Sequence, residues 1–383
     1  MIIKGFKNVN VYVEGQGIVK KCILIKNGKI DKIVDNCEEA GLIELSADKI
    51  VVPGFIDEHV HGANHSDGMY TDPKDPINIS KTIASEGVTS YCITTMTQTV
   101  ENIDAALKNA KQFIDKDMHI GAKAIGIHLE GPFISRIYKG AQVLSAIQEC
   151  NVDLFKHFQE VSGNHISIVT LAYEENGKEL VHYLKKEGIV ASLGHTNATY
   201  EEAMEGIKEG ITCATHTYNA MTKLHHREVG VVGTVLLCDQ IRGELICDLI
   251  HISAPAIQLL YKCKGKDGII LVTDAMEAKH LPDGEYALGG QPVFVSNGAA
   301  RLKDGTLAGS ILYMNHAIKN IQKVLGLGMT DAINFATMNP AKNLGIFDQK
   351  GSIKEQKDAD FAVIDKEFNV YMTISEGHVV FEK

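Results

Sequence analysis

Residues 51–61 read Val51-Val-Pro-Gly-Phe-Ile-Asp-Glu-His-Val-His61, an apolar run that ends in two histidines and is followed by glycine. In an extended strand the side chains at i and i+2 point to the same face, so His59 and His61 are aimed into one small volume. One histidine beside a strand is more often a hydrogen-bonded residue than a ligand. The pair predicts a metal site if further ligands lie at the same end of the fold.

Four more polar side chains end or follow apolar segments in the same way, namely Glu130, His195, His216 and Asp274. Inward-facing polar groups without a function are costly to bury, so the repetition favours a shared ion over four structural residues. Two imidazoles and one carboxylate leave an open coordination position for water, whose pKa a divalent ion lowers to near neutral. The pattern is typical of a metal-dependent hydrolase.

Asp274 follows the apolar segment Ile269-Ile-Leu-Val-Thr. From there it can take a proton from the water and return it to a leaving nitrogen as general base and then acid. The structural alternative for Asp274 is a helix cap or a turn, and for Glu130 it is a solvated loop residue. His59 and His61 either hold a second ion with Glu130 and Asp274, or they surround the ligands of a single ion without binding it directly.

Between residue 53 and residue 345, β-branched apolar runs alternate with stretches of helical period. This alternation predicts a (β/α)8 TIM barrel, in which active sites lie at the carboxyl ends of the strands. The helix expected over 200–210 begins after Thr199 and carries two glutamates in its first turn. The eight predicted strands are 54–59, 89–95, 124–129, 166–171, 190–193, 212–215, 245–250 and 269–273.

Residues 1–52 and 346–383 do not show the alternation of strand and helix patterns. They contain short strand patterns at 9–13, 22–25 and 29–34, and again at 360–365, 370–374 and 378–381. Strands from the two ends of the chain are therefore expected to form one small β-sandwich domain beside the barrel.

Composition narrows the class of protein. The chain has 383 residues and a formal net charge of -10, which argues against a general affinity for nucleic acid or anionic membrane. No apolar stretch approaches the roughly 18 residues needed to span a bilayer, and the first residues do not resemble a secretory signal. Eight cysteines without a Cys-x-x-Cys pair suit reduced thiols, so a cytoplasmic protein is expected.

The motifs together resemble the amidohydrolase superfamily, and within it the N-acetylglucosamine-6-phosphate deacetylases. His-x-His alone marks only the superfamily, whereas the segments at 128–133, 194–199, 215–221 and 272–276 are more specific. The resemblance extends over essentially the whole chain. It implies metal-dependent hydrolysis of the acetamide of N-acetylglucosamine 6-phosphate to glucosamine 6-phosphate and acetate.

The resemblance also implies roles for residues. Glu130, His195 and His216 match the ligands of the principal metal, and Asp274 matches the catalytic acid/base. Gln142 stands where some relatives carry histidine, and its amide still offers a donor to the substrate carbonyl. Arg227 and His251 match the phosphate-binding group, in a homodimer whose partner subunit can supply a phosphate ligand. The full set of implied substrate contacts is Ala141, Gln142, Asn219, Ala220, Arg227, Asp248, His251, Leu307, Ala308 and Gly309.

Several alternatives stay open. The same site could act on the galacto epimer, N-acetylgalactosamine 6-phosphate. Dihydroorotases and D-aminoacylases are other superfamily members, but many of them need a carboxylated lysine on the fourth strand, where segment 167–173 has none. A scaffold protein without activity would not be expected to keep every ligand. The metal is expected to be zinc, with iron, manganese and cobalt as alternatives that suit the same donors, and the number of ions is one or two.

Overall fold

Strands from both ends of the chain form a single mixed sheet in the computed structural model, which describes residues 1–383. The sheet has seven strands. Numbered one to seven along the chain, they lie side by side in the order 7-6-5-4-1-2-3. The two ends of the chain meet in this sheet, since the Ile3 amide donates to the Gly377 carbonyl at 2.9 Å. The rings of Phe6 and Phe361 pack edge-on in the core of the domain. The strands are β1 (Gly5–Val13), β2 (Gly17–Lys26), β3 (Lys29–Val34), β4 (Ile50–Pro53), β18 (Phe361–Ile364), β19 (Val370–Ser375) and β20 (His378–Glu382).

The eight strands of the second sheet are parallel and neighbour one another in chain order. The last strand returns to the first, because the Asp274 amide donates to the His59 carbonyl at 2.8 Å and the His61 amide to the Ala275 carbonyl at 2.9 Å. These bonds close the barrel and set His59 and His61 beside Asp274. The strands are β5 (Phe55–Val60), β8 (Val88–Thr94), β9 (Lys123–Glu130), β10 (Ile166–Leu171), β11 (Val190–Leu193), β12 (Cys213–Ala214), β13 (Arg242–Ile246) and β14 (Ile269–Val272).

Helices surround the barrel. The fifth begins as its sequence predicts, since Thr199 and Glu202 form a reciprocal capping box at its amino end. No helix combines the length and the apolar character that crossing a membrane requires. The helices are α1 (Lys74–Ala84), α2 (Val100–Asp115), α3 (Val152–Val161), α4 (Gly177–Glu187), α5 (Tyr200–Glu209), α6 (Gly230–Leu237), α7 (Ala254–Lys264), α8 (Met314–Leu325), α9 (Met329–Asn334) and α10 (Met338–Asn343).

The predicted TIM barrel with a β domain from both termini is confirmed. One strand was misplaced: β13 ends at Ile246, whereas the apolar pattern predicted a strand over 245–250. The reason is local, because the Asp248 carboxylate accepts the amides of Ile250 and His251 at 2.8 Å each and turns the chain.

A further sheet, which the sequence did not predict, covers one side of the barrel mouth. We call residues 284–301 the roof sheet; it consists of β15 (Gly284–Leu288), β16 (Gln291–Ser296) and β17 (Ala299–Arg301). Its apolar face packs on Met96 and Met276, and Met276 lies two residues beyond Asp274. A short hairpin, β6 (Gly62–Ala63) with β7 (Ser66–Asp67), directly follows His61 in the chain.

A buried ion pair anchors the loop that follows Asp274. The Lys279 ammonium lies 2.8 Å from the Glu86 carboxylate, and both side chains are at most 1 % exposed. His280 lies 2.9 Å from the other oxygen of Glu86. Burial opposes ionisation of Glu86, but Lys279 and His280 outweigh it and hold the pKa of Glu86 below its usual range.

We predict that Lys279→Met lowers stability by about 3–5 kcal/mol, because it leaves Glu86 as a buried charge. The double variant Glu86→Gln, Lys279→Met should recover most of that loss. Since the pKa of Glu86 is lowered by folding, its contribution is present above the ordinary glutamate pKa and is lost as pH falls through the lowered value. Thermal unfolding of the variants at several pH values measures both effects; equal midpoints for the single variant and the wild type would contradict the assignment.

Candidate metal centre

Glu130 is the carboxylate on which the site converges. It is the last residue of β9 and is 2 % exposed. Its Oε1 lies 3.2 Å from His195 Nε2 and 3.1 Å from His216 Nε2, and the two nitrogens are 3.0 Å apart. His195 and His216 follow β11 and β12, so the ends of three strands supply the group, with β10 between the strand of Glu130 and that of His195.

The donor chemistry of this trio fits a divalent cation. His195 Nδ1 lies 3.0 Å from the Tyr138 carbonyl oxygen, which can only accept, so Nδ1 carries a proton and Nε2 is the nitrogen left to bind a metal. His195 Nε2, His216 Nε2 and Glu130 Oε1 lie within 3.2 Å of one another. Two histidines and a carboxylate are typical ligands of zinc and related metals.

A second group of candidate metal ligands also contains Glu130. His61 Nε2 lies 3.4 Å from Glu130 Oε2 and 3.2 Å from Asp274 Oδ1. His59 Nε2 lies 3.6 Å from Glu130 Oε1 and 3.5 Å from Asp274 Oδ1. The two histidines therefore reach one volume, as their spacing predicts. Each trio, His59/His61/Glu130 and Glu130/His195/His216, has ligand atoms within 4.8 Å of one another.

The electrostatics of the site favour added positive charge. Burial disfavours protonation of His59, but the carboxylates of Asp274 and Glu244 outweigh burial and raise the pKa of His59 to about 9. Burial would raise the pKa of Asp274, yet His59 and His61 lower it to about 2. The buried carboxylates thus create a negative potential that favours cations. A divalent ion that displaces protons from the histidines would neutralise the same negative charge.

Three of the polar residues have strained backbones. His195, His216 and Asp274 have φ values of +48°, +31° and +47°, in the left-handed region that non-glycine residues seldom adopt. Each stands just beyond a barrel strand. Such strain persists where surrounding contacts enforce it, and it is concentrated at functional sites.

A cavity of about 290 Å³ opens above the metal centre, close to the lower end of the size range of small-molecule sites. His61, Glu130, His195, His216 and Asp274 form its floor, while His59 lies beneath His61 and is fully buried. Seven of the ten expected substrate contacts line it, namely Ala141, Gln142, Asn219, Ala220, His251, Leu307 and Gly309.

The other three expected contacts do not line the cavity. Asp248 lies behind His251, with its Oδ2 2.7 Å from His251 Nδ1. Ala308 is buried against the roof sheet. Arg227 is on an exposed loop, where its guanidinium donates to His226 Nε2 at 2.7 Å. Within this chain, Arg227 therefore has no contact with the cavity.

Several lining residues were not found by sequence reasoning. Met96, Ile137, Tyr138, Gly140, Leu288 and Thr306 also line the cavity. Leu288 belongs to the roof sheet and Thr306 follows it, so neither could be placed without that sheet. Glu244, which does not line the cavity, was also missed; its sequence signal is an acid directly before the apolar residues that end β13.

His128 is not placed as a ligand. Its Nδ1 faces the Glu58 carbonyl at 3.2 Å, so it carries the proton there and Nε2 accepts from Thr170 Oγ1 at 2.7 Å. Thr170 in turn accepts from Thr215, which accepts from Ser192. Burial lowers the pKa of His128 to about 3, so this ring is a neutral link in a hydrogen-bonded chain under the site.

Known proteins match this architecture. The model of the amidohydrolase family matches residues 50–380. The chain is 41% identical to the N-acetylglucosamine-6-phosphate deacetylase of Bacillus subtilis, over 98% of this chain and 96% of the relative. It is 34% identical to the N-acetylgalactosamine-6-phosphate deacetylase of Escherichia coli O157:H7, over 86% and 88% of the two chains. The crystal structure of the N-acetylglucosamine-6-phosphate deacetylase of Thermotoga maritima superposes with a TM-score of 0.89 at 36% identity and covers all of both chains.

We predict that Glu130→Ala loses metal from both groups of ligands, because Glu130 alone belongs to both. His61→Ala should lose the ion of its own group and keep the other. Metal per chain is measured by inductively coupled plasma mass spectrometry after dialysis. His157→Ala, which removes an exposed histidine paired with Asp104, is the matched control and should leave the metal content unchanged. Equal losses in the Glu130 and His61 variants would contradict two separate groups.

Proposed function

The chain belongs to the amidohydrolase family, and from this membership we propose that it hydrolyses the acetamide of N-acetylglucosamine 6-phosphate to glucosamine 6-phosphate and acetate. The observation that carries the proposal is the convergence of four imidazole nitrogens on Glu130 beneath a cavity of small-molecule size. The similarity to the Bacillus subtilis enzyme over nearly the full length of both chains supports the substrate.

Glu130, His195 and His216 would hold the principal ion, and His59 and His61, with Glu130 and Asp274, a second one. A divalent ion there supplies Lewis acidity, which polarises a carbonyl and makes water a stronger acid. We propose zinc, with iron, manganese or cobalt as alternatives for the same donors. Two ions are favoured over one because both groups are complete in this chain.

Asp274 would move the proton. It forms part of the floor of the cavity, with its Oδ1 3.2 Å from His61 Nε2, and its lowered pKa leaves the carboxylate ionised at neutral pH. As general base it would take a proton from the attacking water, and as general acid it would give that proton to the leaving nitrogen of the sugar. The strained backbone at Asp274 is held by bonds of its amide to His59 and of its carbonyl to the Ser310 amide.

Gln142 would stabilise the acetamide oxygen. Its Oε1 accepts the Thr97 amide at 2.7 Å, which orients its Nε2 toward Glu130 Oε2 at 2.6 Å. A substrate carbonyl that enters the site would meet this uncharged donor. His251, held by Asp248, would contact the phosphate at the opposite side of the cavity, while Asn219, Ala220, Ala141, Leu307 and Gly309 would enclose the sugar.

The preferred substrate is the gluco epimer, because the relatives with the higher identities carry that name, while the galacto enzyme matches at 34%. We also propose a cytoplasmic homodimer. Eight cysteines without a disulfide fit a reducing compartment. A dimer would bring Arg227, which is exposed in one chain, to the phosphate end of the partner's cavity.

We predict metal-dependent release of acetate from N-acetylglucosamine 6-phosphate, faster than from its galacto epimer, lost on chelation and restored by added ion. Asp274→Asn should lower kcat by about 10²–10⁴-fold, because the proton transfer is lost, while the ion at Glu130, His195 and His216 remains. Acetate release and metal content are measured on the same samples. No release from either sugar would contradict the deacetylase, and full turnover by Asp274→Asn would contradict the acid/base role.

We predict that Arg227→Ala raises KM for the phosphorylated sugar roughly ten- to a hundredfold, the cost of a lost charged hydrogen bond. Mixing Arg227→Ala with Asp274→Asn subunits tests where Arg227 acts. If it serves the partner's site, a mixed dimer contains one complete site and activity returns. If it serves its own chain, both sites of the mixed dimer are defective and activity stays low. Unchanged KM in Arg227→Ala would place the residue away from the phosphate in either subunit.

A further inference from the structure

Glu244 lies directly beneath the metal centre and contacts both groups of ligands. It is part of β13, and its side chain is fully buried inside the barrel. Its Oε2 lies 2.9 Å from His59 Nδ1 and 3.0 Å from the backbone nitrogen of His216. One carboxylate oxygen thus accepts from a side chain of one group and from the strained backbone of the other.

The contact with Glu244 orients the His59 ring. An ionised carboxylate only accepts, so His59 Nδ1 carries the proton that it donates to Glu244, and Nε2 is the nitrogen left to bind a metal. Nε2 lies 3.4 Å from His61 Nε2 and 3.5–3.6 Å from oxygens of Glu130 and Asp274. A carboxylate behind a histidine also makes the ring a stronger donor to a metal.

No other ligand of the site is supported in this way. The far nitrogen of His195 meets a neutral carbonyl, and those of His61 and His216 have no hydrogen-bond partner. The ring of His128 packs edge-on against His59 at 4.5 Å between centroids, but both of its nitrogens are engaged elsewhere. The orientation of His59 therefore depends on Glu244.

We propose that Glu244 is a positioning residue that holds His59 for the second ion and so sets the affinity of that ion. The inference rests on the proposed two-ion site and deepens it. The principal ion depends on Glu244 much less, because Glu244 touches only the backbone of His216 and neither His195 nor Glu130.

The experiment measures binding of zinc to the apoprotein by equilibrium dialysis with elemental analysis. Glu244→Gln keeps an acceptor oxygen but loses the charge, and Glu244→Leu loses both. The affinity for the second ion should fall about tenfold in the first variant and about a hundredfold in the second, the range seen when a residue behind a metal ligand is changed. The affinity for the first ion should stay close to that of the wild type.

Glu58→Gln is the matched control. Glu58 is also fully buried in the barrel and close to Glu244, but its carboxylate accepts from Asn343 at 2.9 Å and not from an imidazole. It should keep the second ion. In the His59→Asn background, Glu244→Gln should have no further effect on metal affinity, since the ring through which it acts is gone.

Wild-type affinity for the second ion in folded Glu244→Leu would overturn the proposal. So would parallel loss of both ions, which would make Glu244 a general support of the fold. If Glu244→Leu does not fold, the comparison of Glu244→Gln with Glu58→Gln decides. Failure of the proposed function is separate: a protein that binds two ions in a Glu244-dependent way but releases no acetate would keep this inference and lose the deacetylase.

Discussion

The carboxylate of Glu130 is the constraint on which the rest of the site depends. It is nearly inaccessible to solvent, yet four histidine Nε2 atoms lie within 3.1–3.6 Å of its two oxygens. A buried carboxylate is stable only when opposite charge or hydrogen-bond donors surround it. The histidines that satisfy Glu130 come from β5, β11 and β12 or the residues that follow them, so the register of the barrel strands determines whether they can meet.

That register is completed where the barrel closes. Backbone bonds between the ends of β5 and β14 join His59 to Asp274 and His61 to Ala275. A shift of one residue would turn both histidines to the opposite face. The left-handed backbones of His195, His216 and Asp274 then redirect three side chains from the strand direction toward the centre. The rigid barrel supports this strain.

Much of this arrangement was predictable from the sequence, for physical reasons. The spacing of His59 and His61 aims both rings to one face of a strand, and polar residues at the ends of apolar runs identified Glu130, His195, His216 and Asp274.

The end of β13 was misplaced because the carboxylate of Asp248 turns the chain within an apolar stretch. The roof sheet was not predicted, since 284–301 mixes polar residues and glycine and its pairing depends on contacts with Met96 and Met276. The expected substrate contacts rested on family resemblance, and no feature of the sequence alone separates Arg227, outside the cavity, from His251, which lines it.

His59 and Glu244 are best understood as one unit, although they are 185 residues apart in the chain. Without His59, Glu244 would be a carboxylate in the barrel interior with the His216 amide as the partner of one oxygen and no hydrogen-bond partner for the other. Breaking a buried pair on one side costs several kcal/mol, whereas replacing both members together can be nearly neutral. If the site holds the proposed second ion, a chain that loses this ion has a reason to change both residues at once. The number of ions in such a site is thus a property of the barrel interior as well as of the residues that touch the metal.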